Sequence, residues 1–271
     1  MLKRGNKRGQ VTIFIIIAIV IVALGLLAWL LWPQISSAFM SESQAQAFLA
    51  GQAGAMKDNV QYCVRAVSED ILTQMGAHAG YYDYADLYSL DYSGSKVVVM
   101  YKNSASERVN KLPSLQAMSG EFNKALEDGG YAKIDKCLDD FKSYKKKMTV
   151  EPGIRKISAE INEENVLIRV EWPITLKKAR ATTVLNPGNV VLDIPLGKIW
   201  GVANDIVESE VSQTSFEGVV WDEYIYDNPI TLKEISISKG ALNSKQRAIM
   251  LESIPGEGEN AFPFYFAIDE Q

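Results

Sequence analysis

The strongest contrast between apolar and polar positions lies at the start of the chain. A basic head, MLKRGNKRGQ, runs into VTIFIIIAIVIVALGLLAWLLW, and no charged residue falls between Val11 and Trp32. As a helix this run covers about 33 Å, enough to cross a hydrocarbon core of roughly 30 Å. It exceeds the apolar region of a secretory leader, about 7 to 15 residues, and no small-x-small cleavage site closes it. The pattern predicts a transmembrane helix over 10–32, with Pro33 just after it. Beyond the run, Val60, Val64, Val67, Ile71 and Met75 recur at three- and four-residue spacing, with Cys63 adjoining the stripe. This predicts helix to about residue 79, a stalk over 33–80. Its first part, 41–56, is rich in Ala, Gln, Gly and Ser and reads either as a thin packing face or as a linker.

Gly76 and Gly80 punctuate the helix end, and YYDYADLYSLDYSGSKVVVMY follows with a Ser-Gly turn and a Val-rich strand at 96–101. The segment reads as a half-buried hairpin with aromatic cross-strand pairs, or as a tyrosine-rich recognition surface. Helical periodicity returns over 114–146, broken at Gly129-Gly130, with Ile134, Leu138 and Phe141 on its apolar face beside Cys137. From residue 154 the period becomes two. IRKISAEI and VLIRVEW flank the turn INEEN as a hairpin. ITLKKARATTVL and NVVLDIPL follow as a pair separated by Asn186-Pro187-Gly188. A helix is predicted over 196–214, with Ile199, Val202, Ile206, Val207 and Val211 on one side, and strands at 217–226, 230–238, 247–253 and 262–268. The predicted fold class is α+β: a transmembrane helix, a helical stalk, and a mainly antiparallel head with an inserted helix. The segments are 1–9 as a basic leader, 10–32 as the span, 33–80 as the stalk, 81–150 as a helical and hairpin region, and 151–271 as a β-rich domain.

Charge adds an orientation. Lys3, Arg4, Lys7 and Arg8 precede the apolar run, and no Lys or Arg follows it until Lys57, so the positive-inside bias puts the N-terminus in the cytoplasm and the C-terminal region outside. The part after Trp32 carries 24 Lys and Arg against 33 Asp and Glu, a net charge of about −9. Such an acidic domain is a poor nucleic-acid ligand. Its largest basic run, Lys145-Lys146-Lys147, reads as a solvated helix end. The single long apolar run argues against a multi-span transporter or channel.

Cys63 and Cys137 are the only cysteines, and both fall in the part placed outside the cytoplasm, where thiols oxidise. They are read as one disulfide, with two buried free thiols as the alternative. Neither they nor the sole histidine, His78, supply the ligand set of a zinc site. No Asn-x-Ser/Thr sequon occurs.

No catalytic signature stands out, and no enzyme activity, metal or cofactor is expected. Every Ser-His-Asp or Cys-His arrangement would need His78, which reads as a helix-terminal packing residue. The carboxylate pairs Asp139-Asp140, Glu163-Glu164 and Asp222-Glu223 are adjacent in sequence, so the members of each pair point apart, although acids distant in sequence could converge as in a hydrolase. Asp83, Asp86 and Asp91 lack the spacing of a calcium loop, and Gly256-Glu257-Gly258-Glu259-Asn260 reads as a solvated turn. Nucleotide-binding glycine loops are absent from the sequence.

Lys7-Arg8-Gly9 followed by Gln10 and an immediate apolar helix resembles the class III signal peptide of archaeal type IV pilin-like proteins. The resemblance covers about 30 residues. It implies cleavage between Gly9 and Gln10 by a prepilin peptidase on the cytoplasmic side, leaving a mature helix that begins QVTIFI. It also implies a lipid membrane, the peptidase and other pilin-like subunits as partners, and a cell-surface structural or adhesive role. Phe14 stands where pilins commonly carry a glutamate, and a phenyl ring cannot offset the amino terminus of a neighbouring subunit in low dielectric. An uncleaved signal anchor carrying an ectodomain is the alternative. The head is similar in plan to membrane-anchored surface proteins of small-genome archaea, a likeness that supplies no activity.

Overall fold

The computed structural model describes residues 16–27, 29, 40–102, 108–212, 227, 231–256 and 260–270. Residues 16–27 form a helix, α1, with all its side chains exposed. Among the described residues no helix is long and apolar enough to cross a membrane, and the run predicted to do so over 10–32 is described only at 16–27 and 29.

The spine of the fold is α2, Glu42–Gly76, 35 residues long and so about 52 Å. It starts with a capping box: Ser41 Oγ accepts the backbone N–H of Gln44, and the Gln44 side chain accepts that of Ser41. Ala45, Leu49, Met56, Val60, Val64, Ile71, Leu72 and Met75 are all buried. The segment 41–56 is therefore continuous helix and not a linker. The stalk reading over 33–80 is corrected as well: from Ala45 onward the helix is the core around which the rest is built, because its apolar stripe is covered by sheets along most of its length.

A hairpin follows, β1 (Ser89–Tyr92) and β2 (Ser95–Lys102), joined by the two-residue turn Ser93-Gly94 with φ of 51° and 82°. Its register sets Ser89 opposite Val98, Leu90 opposite Val97 and Tyr92 opposite Ser95, so the predicted aromatic cross-strand pairs do not form. The helical stretch runs as α3 (Leu115–Ala125), a π turn (Leu126–Gly130) kinked at Gly129, and α4 (Tyr131–Cys137). A second break that periodicity did not suggest follows at Asp139–Phe141, where three residues take φ of 47°, 49° and 58° before the one-turn α5 (Lys142–Lys145).

The β-rich part comprises β3 (Thr149–Pro152), β4 (Lys156–Ile161), β5 (Val166–Glu171), β6 (Ile174–Lys178), β7 (Ala181–Leu185) and β8 (Val190–Leu192). After it come α6 (Leu196–Val211), a helical turn (Thr231–Glu234), β9 (Ile235–Ala241), β10 (Gln246–Ser253) and β11 (Pro263–Asp269). Among the described residues the strands assemble into three sheets, ordered β3-β6-β7, β4-β5-β8 and β1-β2-β11-β10-β9. β4 and β5 form the predicted hairpin. The next pairing is corrected. ITLKK and ATTVL turn back on each other through Ala179-Arg180, while Asn186-Pro187-Gly188 is a crossover to another sheet, where β8 pairs with β5. Both partners of each pair alternate buried and exposed residues, so either pairing satisfies the pattern and packing decides. The strand predicted at 217–226 lies outside the described residues, and that at 230–238 begins with a helical turn.

The third sheet is mixed, since β2 runs parallel to β11 and so joins the early hairpin to the last three strands. It is also curled. Tyr92 on one edge strand reaches Gly240 on the other, and a Cβ at Gly240 would overlap the Tyr92 hydroxyl and ring. Val97, Val99 and Ala267, with Leu90, Tyr92 and Tyr265 against them, make a small second apolar cluster. The main core is continuous from Ala45 to Ile268.

Candidate functional site

Two features organise the head: a covalent clamp on α2 and a charged cleft where three parts of the fold meet.

The clamp is a disulfide between Cys63 and Cys137, with Cα atoms 5.8 Å apart and a sequence separation of 74. Cys63 lies on the buried stripe of α2, and Cys137 is the last residue of α4, at the surface. Lys133 of α4 also pairs with Asp70 of α2 at 2.6 Å, which holds the Asp70 carboxyl below the usual carboxylate range. The other side of α4 is held by Arg155 from the β3–β4 connection. Its guanidinium donates to both oxygens of Asp135 at 2.5 and 2.9 Å and lies over the rings of Tyr131 and Trp172, 4.5 and 5.1 Å from their centroids. The helix carrying Cys137 is thus fixed from both sides.

The cleft, about 520 Å³, is lined by Arg65, Glu69 and Thr73 of α2, Glu164 of the β4–β5 turn, Asp193, and Glu234 before β9. At its rim Lys198 Nζ lies 2.5 Å from Glu164 and 2.6 Å from Glu234, and these two carboxylates hold its ammonium above the usual lysine range. The β4–β5 turn is docked on the start of α6: Gly197 N–H donates to the Asn162 carbonyl at 3.1 Å and Lys198 N–H to that of Glu163 at 3.2 Å. A Cβ at Gly197 would lie 2.5 Å from the Asn162 oxygen, so the approach requires glycine. Arg65 donates to the Val191 carbonyl at 2.7 Å and faces Glu69 at 3.6 Å, so the cationic groups of the cleft are already engaged. The rest of the lining combines the carboxylates of Asp193 and its neighbours with apolar residues such as Ile194, Ile254 and Phe262. Ser253 Oγ accepts the Phe262 N–H at 2.8 Å, and His78 does not line the cleft. Adjacency in sequence had suggested no site at Glu163-Glu164. The fold uses the backbone of one and the carboxylate of the other at a single junction.

The other sequence candidates are dispersed. His78 Nδ1 donates to the Gln74 carbonyl at 2.8 Å and the ring stacks on Tyr84 at 3.6 Å; burial lowers its pKa. Tyr81 donates to the Lys111 carbonyl, Tyr88 to Asp269, and Asp83 pairs with Lys124. Asp139 pairs with Lys142 at 2.6 Å. Among the described residues no group of three or more His, Cys, Asp and Glu is arranged to hold a metal ion. Gly9, Gln10, Asp222, Glu223 and 257–259 lie outside the described residues. No protein-family model matches the chain, and neither a curated protein nor a solved structure matches it.

Proposed function

We propose that the chain is a membrane-anchored, pilin-like cell-surface protein with a structural or adhesive role, anchored by the apolar helix over 10–32 and processed between Gly9 and Gln10. The observation that carries this reading is the placement of α2. It begins at Glu42, shortly after the apolar run ends at Trp32, and strands of all three sheets together with α3 and α4 pack against its buried stripe. An apolar N-terminal segment followed by a helix packed against a β-rich head is the plan shared by pilin-like subunits. The Cys63–Cys137 disulfide supports an extracytoplasmic head, since such bonds persist in oxidising compartments. No catalysis is assigned to the protein.

The test is the mass and N-terminal sequence of the protein purified from its own membranes. A start at Gln10 is expected; a start at Met1 or Leu2 would sink the processed, pilin-like form. A second reading, an uncleaved signal anchor bearing an ectodomain for an extracellular partner, is favoured by Phe14 in place of the pilin glutamate. Protease added to intact cells should degrade the region after residue 33 under either reading, and its protection would overturn both.

A further inference from the structure

The net charge of the head is negative, yet one end of it is basic. We infer that this end is a docking surface for the anionic headgroups of the membrane that the chain is anchored in; the inference rests on the anchored reading above. Lys145 ends α5 and Lys146 and Lys147 lead from it toward β3, while Lys178 ends β6 and Arg180 lies in the β6–β7 turn. The two groups are one patch. Lys178 Nζ donates to the Lys147 carbonyl at 2.5 Å, and Thr149 is registered opposite Lys177. Lys145, Lys146, Lys147 and Arg180 are exposed and form no ion pair among the described residues, whereas Lys177 is matched by Glu151 at 2.6 Å. Glu42 lies on the first turn of α2.

Topology sets where the patch lies. Lys178 Nζ sits 5.5 Å from the Phe48 ring centroid, on the second turn of α2, while at the far end of β7 Gln61 donates to the Pro187 carbonyl at 2.9 Å. β7 therefore runs along α2 from the N-terminal end toward the middle, and the basic turn lies at the end from which the chain leads back to the apolar run. Residues 33–40 span at most about 28 Å even when fully extended, which bounds how far the start of α2 can stand from the end of the apolar run. Unpaired cations within about 10 Å of an anionic headgroup layer are drawn to it, and the attraction fades with salt. The same five charges on the distal end of an acidic head would have no such partner. Their concentration here fixes the head upright or tilted onto the bilayer by charge complementarity.

The experiment uses the full chain in lipid nanodiscs, either zwitterionic or containing anionic phospholipid, with amine-reactive footprinting read by mass spectrometry. Lys111 and Lys124 are the internal controls, because they lie with Tyr81 and Asp83 just past the C-terminal end of α2, about 40 Å along the helix from Phe48. Labelling of Lys145, Lys146 and Lys147 is expected to fall roughly threefold in anionic discs at low salt and to recover at 1 M salt, with the controls unchanged. Equal labelling in both kinds of disc, with the chain retained in them, overturns the docking surface and leaves the anchor standing. Release of the chain from discs by alkaline carbonate overturns the anchor and this inference together. Protection by soluble polyphosphate but not by anionic lipid assigns the patch to a soluble polyanion and also overturns it.

Discussion

Single side chains in this protein do their work by proximity that the sequence does not display. Tyr265 is one case: burial first, then its 2.6 Å hydrogen bond to Glu252, pushes its hydroxyl up from 10.0 to about 12. The folded state therefore holds that proton more tightly than the unfolded chain. Its stabilising contribution is complete below pH 10 and is lost as pH rises from 10 toward 12. Urea midpoints measured on either side of that window should fall for the natural protein, and Tyr265→Phe should flatten the fall; an unchanged slope would show the group to be irrelevant. Gly197 is a second case. Gly197→Ala drives a methyl group into the backbone of Asn162, which has no flexible end to yield, and should cost about 1–3 kcal/mol in a denaturant titration. Nothing in the local pattern of PLGKIW marks that glycine as a contact. Gly197 is the second residue of α6, whose N-cap is Pro195, so no capping pattern singles it out.

At the level of elements, the disulfide and Arg155 together fix α4. In the chain-entropy account, closing a loop of 74 residues stabilises the fold by about 4 kcal/mol. Replacing both cysteines by serine should lower the melting temperature by an amount matching that loss, read by calorimetry beside the natural protein with reductant; a shift of less than a degree would mean the packing of α4 suffices without it. Arg155→Lys should cost about 1–2 kcal/mol, because a lysine ammonium cannot bond both oxygens of Asp135 while covering two rings. The helix pair to be stapled was legible in the sequence, since both cysteines adjoin apolar stripes at helical spacing. The partner of Arg155 was not legible, because Asp135 lies on the polar side of its stripe, where any cation could face it.

For the molecule as a whole, the core decides cooperativity. Apolar contacts run without interruption from Ala45 on α2 to Ile268 on β11, and β2 lies beside β11 in one sheet. The head should unfold in one transition in which calorimetric and van't Hoff enthalpies agree. Two resolved transitions would show that the 81–150 and 151–271 segments hold together independently.

The sequence alone determined the elements whose signal is local: the apolar run, the helical stripe of α2, the β4–β5 hairpin, and the α+β class, because periodicity reports which face each element must bury. It also identified Cys63 and Cys137 as the candidate disulfide, there being no other cysteines. Tertiary structure decided what those faces bury against. The α2 stripe became a core and not a stalk, ATTVL turned back on ITLKK, and the tyrosines bonded outward to Lys111 and Asp269 and not across their hairpin. It also gathered Lys147 and Lys178, thirty-one residues apart, into one basic end of an acidic head. The physical reason is the same in each case. A period fixes a buried side but not its partner, and charge summed along a chain carries no direction until the fold gives it one.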